Sequence, residues 1–257
     1  MNTRTMFSPQ LTYYDMGERV VAFSSTRYGG CSTGNYAAFN INAYCGDTPA
    51  HVAANRRSLS ALLGIPEQNV IMPHQTHGAT VCRIDCPPSE AIEATDALMT
   101  NVPGLCIGVS TADCIPVLLY DVRHHAACAI HAGWRGTVQH IVSKAVSAMQ
   151  REYQSVPSQL RAVIGPGISL ESFEVGDEVY DQFLAAGFDM HTVARRYAKW
   201  HIDLWACNRH LLQQSGVPAD HITVEGTCTY QHADRYFSAR RLGISSGRIY
   251  TAILLKQ

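Results

Sequence analysis

Three apolar segments lie close together in the middle of the chain: Leu105–Ser110 (LCIGVS), Ile115–Tyr120 (IPVLLY) and Ala126–Ile130 (AACAI). None of them alternates apolar with polar residues. A strand with one wet face shows a period of two, so strands written this way need cover on both faces. That demand sets a lower bound on size. With 257 residues, 46% of them hydrophobic and 16% charged, the chain can supply such a core within one large domain or two small ones. No fixed-period repeat, low-complexity tract or long linker divides it.

Further strands are expected at Val20–Ser24, Asn69–Met72, Thr80–Ile84, Ala162–Ile164, His201–Leu204, Ile222–Val224 and Ile249–Leu255. Thr48-Pro49 opens a helix that stops at Gly64. Val138, Ile141, Val142, Ala145, Val146 and Met149 fall on one helical face. Val175–Ala186 and Trp205–Gln214 complete the helices. The order is mixed rather than strictly β-α, which predicts an α+β fold, a single domain with mixed β-sheets flanked by helices. No G-x-G-x-x-G follows a strand, so no dinucleotide site is expected.

Charge excludes one class of partner. Twenty Lys+Arg stand against 21 Asp+Glu, so no basic excess exists to neutralise a nucleic-acid backbone. Met1–Gln10 lacks an apolar run, and no later stretch is long and apolar enough to span a membrane. The expectation is a cytoplasmic enzyme with a small-molecule substrate; the sequence is silent on oligomeric state. Nine cysteines, an odd number without C-x-x-C spacing, argue against both a disulfide framework and a zinc ribbon. Most are expected to be buried as small apolar residues.

Three segments carry chemistry. Pro73–Val81 (PHQTHGATV) is a polar turn offering His74 and His77. Ser110–Asp121 (STADCIPVLLYD) puts Cys114 at the mouth of an apolar strand. Ile130–Val138 (IHAGWRGTV) ends a strand on His131. Two imidazoles and one thiolate form a three-ligand set that leaves a fourth tetrahedral position open, as in catalytic zinc sites. His74 and His77 compete for one place in that set. The bland alternative is a capping histidine and a core cysteine. Asp113, beside the thiolate in sequence, is a candidate to orient a ligand or a bound water. His124-His125 reads as a solvated hairpin turn.

Eight motifs in order extend the reading: FSSTRYGGCSTGNYAAFNIN, HQTHGATV, TDALMT, STADCIPVLLYD, HAGWRGTV, GPGISLESFEVGDEV, DLWACNR and CTYQHADRYFSARR. Together they resemble the YfiH-type proteins, also called the multicopper polyphenol oxidase or laccase-domain family. The likeness runs from about Phe23 to the C-terminus and implies one YfiH-like catalytic domain over residues 1–257. It implies the metal ligands His77, Cys114 and His131, because His74 precedes the matching glutamine. Ser172 stands where a cysteine is common in the family, outside the ligand set.

The resemblance further implies a zinc-dependent purine nucleoside enzyme. Members phosphorolyse adenosine, inosine or guanosine, cleave methylthioadenosine and deaminate adenosine; others edit peptidoglycan precursors by removing an amino acid from a UDP-muramoyl intermediate. Zinc (Zn2+) would bring the pKa of a water toward ~7 for attack on the purine. The H-x-E and P-C-x-x-C signatures of nucleobase deaminases are absent, so deamination here would be convergent. Phosphorolysis also needs a cation for phosphate. Arg27 in the TRYGG loop and Arg135 in HAGWRG are candidates, with Arg240 and Arg241 behind them as a doublet that also reads as solvated charge. Rival readings are a metal-free hydrolase with Cys114 as nucleophile and a histidine base, a copper polyphenol oxidase, and a partner-binding scaffold with vestigial ligands. Copper is the less expected metal, since the chain has neither an H-x-H pair nor a His-Cys-His run.

Overall fold

The computed structural model describes residues 8–257. The first seven residues of the leaderless N-terminal reading lie outside that range. In chain order the elements are β1 (Leu11–Tyr14), β2 (Val20–Ser25), α1 (Pro49–Leu63), β3 (Val70–Ile71), β4 (Val81–Arg83), β5 (Ala97–Thr100) and β6 (Cys106–Thr111). They continue with β7 (Ile115–Asp121), β8 (Ala126–Ala132), α2 (Trp134–Val138), α3 (Ile141–Tyr153), β9 (Leu160–Ile164), β10 (Glu174–Val175) and α4 (Asp177–Ala185). The last are α5 (Met190–Val193), β11 (Ala194–Arg196), β12 (Trp200–Ile202), α6 (Leu204–Gln214), β13 (Ile222–Val224), α7 (Ala239–Leu242) and β14 (Ile249–Leu255).

Two large mixed sheets account for the apolar runs. One has the order β1-β2-β14-β6-β3 and the other β13-β9-β7-β8-β5-β4, with a small β10-β12-β11 sheet beside them. Ile107 and Val109 from the first sheet pack against Leu118, Ala129 and Val163 from the second, in a seam between the two. The alternate residues on the same strands point away from that seam. Val117, Leu119, Cys128 and Ile130 meet Val142, Val146 and Met149 of α3 and Leu211 of α6. Phe23, Cys106 and Tyr250 meet Leu59 of α1. The layers therefore run helix, sheet, sheet, helix, and the central strands β6, β7, β8 and β14 are buried at every position because both of their faces are dry. Each fully buried Leu, Ile or Val contributes about 1.5–3 kcal/mol relative to exposure.

The α+β expectation with mixed sheets holds. Its boundaries need adjustment in several places, among them Leu204, expected to end a strand, which opens α6. The single helix expected around Val138–Met149 is two, α2 and α3, broken at His140, whose φ of 58° no helix interior accepts. Val175 belongs to β10, and α4 begins after Gly176. Strand β5, only four residues of TDALMT, was too short to read by periodicity. The α1 ending was legible: Gly64 adopts φ 67°, the left-handed stop for which glycine carries no Cβ penalty. No helix among the described residues is long and apolar enough to cross a membrane.

Candidate metal centre

Four neighbouring strands of the second sheet deliver the centre. β7 and β8 are antiparallel, with Pro116 opposite His131, so Cys114 just before β7 lies beside the end of β8. β5 pairs with β8 on the other side, and the His131 N–H donates to the Asp96 carbonyl at 2.7 Å. β4 runs parallel to β5, which brings the preceding turn, with His77, back over the same sheet end. Sites separated widely in sequence thus converge at one strand terminus, where side chains are held by sheet backbone but face a loop-lined opening.

The ligand atoms of His77, Cys114 and His131 all lie within 4.8 Å of one another. The two rings meet nearly edge to face, with centroids 4.8 Å apart. Gly133 makes the approach feasible: a Cβ there would sit 2.9 Å from Cys114 Sγ and 3.2 Å from His77 Cδ2. His74 is not part of the cluster. Its Nδ1 pairs with Glu93 Oε2 at 2.5 Å and its ring stacks on Tyr44.

A fully buried carboxylate, Asp96, organises the centre. Its Oδ1 accepts from His131 Nδ1 at 2.8 Å and from the His77 N–H at 3.0 Å, while Oδ2 accepts from the Gly78 N–H at 2.7 Å and the Thr76 N–H at 3.3 Å. One carboxylate therefore fixes both histidines. It holds the tautomer of His131, leaving Nε2 for the cluster, and it holds the turn in which His77 adopts φ 61°. Burial alone would push Asp96 up, but the hydrogen bond from His131, the charge of that ring and the N–H groups of Gly78 and Thr76 hold its carboxyl below the usual range.

The same logic governs the thiol. Burial would raise Cys114, yet the charge of His131 and hydrogen bonds with His131 and His77 bring it down to about 6. His131 moves the opposite way, to about 9: burial disfavours its cation, and the Cys114 thiolate and the Asp96 carboxylate outweigh that. Cys114 is thus set up as a thiolate near neutral pH, the form that binds metal.

Asp113 does something other than expected. Although it precedes Cys114, its Oδ1 accepts from Thr229 Oγ1 and its Oδ2 from the Arg240 N–H, both at 2.7 Å. Its carboxylate pins the C-terminal loop rather than orienting a ligand, and the orienting carboxylate is Asp96. Of the two hairpin histidines, His125 differs from expectation: it is buried, bonded to the Tyr120 hydroxyl and to the Lys256 carbonyl.

A cavity of about 190 Å³ opens on the cluster, with Asn42, Gln75, Ser110, Thr111 and Arg248 in its walls. The ends of β6 and β14 in the first sheet supply Thr111 and Arg248, so the cavity lies where the two sheets finish together. None of the arginines picked out in sequence lines it. Arg27 donates Nε to the Ala37 carbonyl and Nη1 to the Ala233 carbonyl and lies over Phe237. Arg135 is exposed and lies over Trp134. Arg240 donates Nη1 to the Glu174 carbonyl, over Phe173. Asp96 and Arg248 were missed; the one available signal was an acid placed directly before a wholly apolar strand in TDALMT.

The chain belongs to the family described as multi-copper polyphenol oxidoreductase laccase, whose model matches residues 21–256. It is 46% identical over 245 residues to a purine nucleoside phosphorylase of Bacteroides thetaiotaomicron, covering 91% of this chain and 90% of that one. It is 40% identical over 250 residues to adenosine deaminase RL5 from an unknown prokaryotic organism, covering 93% and 95%. The crystal structure of the Bacillus licheniformis hypothetical protein YfiH superposes with a TM-score of 0.92 at 29% identity, over 97% of both chains.

Proposed function

We propose that the chain is a zinc-dependent purine nucleoside enzyme that phosphorolyses adenosine, inosine, guanosine and methylthioadenosine and deaminates adenosine. The observation that carries this reading is the convergence of His77, Cys114 and His131 on one cavity, with ligand atoms within 4.8 Å. The names of the relatives, a purine nucleoside phosphorylase and an adenosine deaminase, support the substrate class.

The donors fit zinc. Two imidazoles and a thiolate are a borderline-soft donor set, and His77, Cys114 and His131 would hold the ion. When bound there, zinc supplies Lewis-acid charge that activates water and stabilises negative charge developing on the substrate. Copper fits less well. Multicopper oxidation needs several centres, and His77, Cys114 and His131 are the one such group among the described residues. Among the described residues, no methionine lines the cavity to act as an axial ligand.

The chain's own residues do the rest. Cys114 brings the anionic ligand, and Asp96 holds both histidines at the angle the cluster needs. Gln75 is clamped on the backbone of Ser110, donating Nε2 to its carbonyl at 2.9 Å and accepting its N–H at 2.7 Å. Asn42 donates Nδ2 to the Ser110 hydroxyl at 2.7 Å. These bonds give the cavity a rigid polar wall against which a nucleoside can be oriented. Nine free thiols and no disulfide fit a reducing, cytoplasmic setting.

The test is an assay of metal-quantified protein on three substrates. The proposal expects hypoxanthine release from inosine that depends on added phosphate, together with ammonia release from adenosine. Amino-acid release from a UDP-muramoyl amino acid, without either of those, would move the function to peptidoglycan-precursor editing.

A further inference from the structure

Among the described residues that line the cavity, Arg248 is the one arginine or lysine, and none is an aspartate or glutamate. Its guanidinium is held in place by neutral groups. Nη1 donates to the Ser246 carbonyl at 2.6 Å and the Gly247 carbonyl at 3.0 Å, and Nη2 to the Ile244 carbonyl at 2.9 Å. Among the described residues it forms no ion pair, and its Nε has no hydrogen-bond partner. The positive charge is therefore fixed at the cavity with no carboxylate partner among the described residues.

A second, independent observation lies on the adjacent strand. The Thr111 hydroxyl is buried, lines the same cavity and has no hydrogen-bond partner. Burying a hydroxyl without a partner is costly, so a native site that keeps one has a use for it. Thr111 at the end of β6 pairs in register with Ile249, the residue after Arg248. The guanidinium and the hydroxyl are thus carried by adjoining strand ends and are positioned by sheet backbone rather than by a free loop.

We propose that Arg248 and the Thr111 hydroxyl form an oxyanion subsite beside the His77–Cys114–His131 cluster, and that its ligand is inorganic phosphate. This rests on the phosphorolysis reading above, which needs an anion acceptor at the same cavity. A guanidinium with a spare N–H and a neighbouring hydroxyl match a tetrahedral oxyanion, giving it charge-assisted hydrogen bonds without the repulsion an acidic lining would add.

The experiment is calorimetric titration of inorganic phosphate into zinc-loaded protein, with phosphate KM measured on inosine in parallel. Arg248→Gln keeps a polar side chain but removes the charge and should weaken phosphate binding by roughly tenfold or more. Thr111→Val should weaken it severalfold, and Arg248→Lys should retain part of it. Arg151→Met, the same charge loss on the exposed face of α3, should leave phosphate affinity at the wild-type value. Circular dichroism melting of each variant identifies any that misfold, and the Thr111 and Lys variants then carry the test. Wild-type protein that binds no phosphate, or Arg248→Gln and Thr111→Val that bind it as tightly as wild type, would overturn the subsite. Phosphate binding that depends on Arg248 in a protein that does not cleave inosine would uphold the subsite and refute the reaction assigned to it.

Discussion

Cys114, just before β7, and Cys128, within the paired strand β8, have thiols of opposite character. Cys128, inside β8, is surrounded by Met99, Leu119 and Met149 in the helix-facing core, and burial with no polar neighbour pushes its thiol far up. Cys114, at the entry to β7, faces His77 and His131, and its thiol falls to about 6. The residue type is the same, but Cys128 is fully buried whereas Cys114 is partly open to the cavity. The difference is that the strand end admits charged partners, whereas the strand middle admits only apolar ones. Reactivity here is a property of position along the sheet.

The largest expected contrast comes from removing each thiol. Cys114→Ala should reduce bound zinc from about one per chain to almost none and abolish turnover. Cys128→Ala should keep the zinc and cost only about 1 kcal/mol of stability, read by denaturant unfolding. Loss of zinc from both variants would show that the centre depends on core packing rather than on a specific ligand.

Asp96→Asn comes next. It keeps an acceptor for His131 but removes the charge, and should lower zinc affinity by roughly 10- to 100-fold in a competition with a chelator dye. Unchanged affinity would reduce Asp96 to a turn-former.

The pH behaviour sharpens the comparison further. A thiol whose value is depressed on folding contributes stability above its unfolded value and loses it as pH falls through about 6. His131, raised to about 9, contributes below its ordinary value and loses it as pH rises through about 9. In metal-free protein the thiolate–imidazolium pair therefore spans the window from about 6 to about 9. Alkylation at Cys114 should stay fast down to about pH 6 and slow below it, while Cys128 stays inert throughout; peptide mapping of labelled protein reads both. Equal, slow labelling of the two thiols at pH 7 would contradict the contrast.

The smallest effect is expected in the turn. His74→Ala, which loses the Glu93 pair and the Tyr44 stack, should change zinc content and turnover by less than about twofold, since exposed pairs contribute little. His77→Ala should abolish both. Equal losses would place His74 in the centre.

Residue chemistry and strand position were legible in sequence because both are local. Runs such as IPVLLY announce a strand dry on both faces, and a cysteine or histidine at the end of such a run announces a site. The role of Asp113 was misjudged because adjacency along a chain says little about direction. At φ 88° its backbone is turned, and its carboxylate meets Thr229 and Arg240. Arg248 was invisible, and Asp96 nearly so, for the complementary reason. Each reaches the centre through strand pairing, β5 with β8 and β14 with β6, and register between distant strands leaves no trace in spacing.

The central claim is that His77, Cys114 and His131 hold one zinc ion on which purine nucleoside turnover depends. The most direct test strips the metal from untagged protein with a chelator, then adds zinc back while following hypoxanthine release from inosine and phosphate. Negligible activity at the start, a linear rise, and a plateau at one equivalent of zinc per chain are expected. Full activity in the stripped protein, insensitive to added zinc, would contradict the claim and leave Cys114 acting as a metal-free nucleophile.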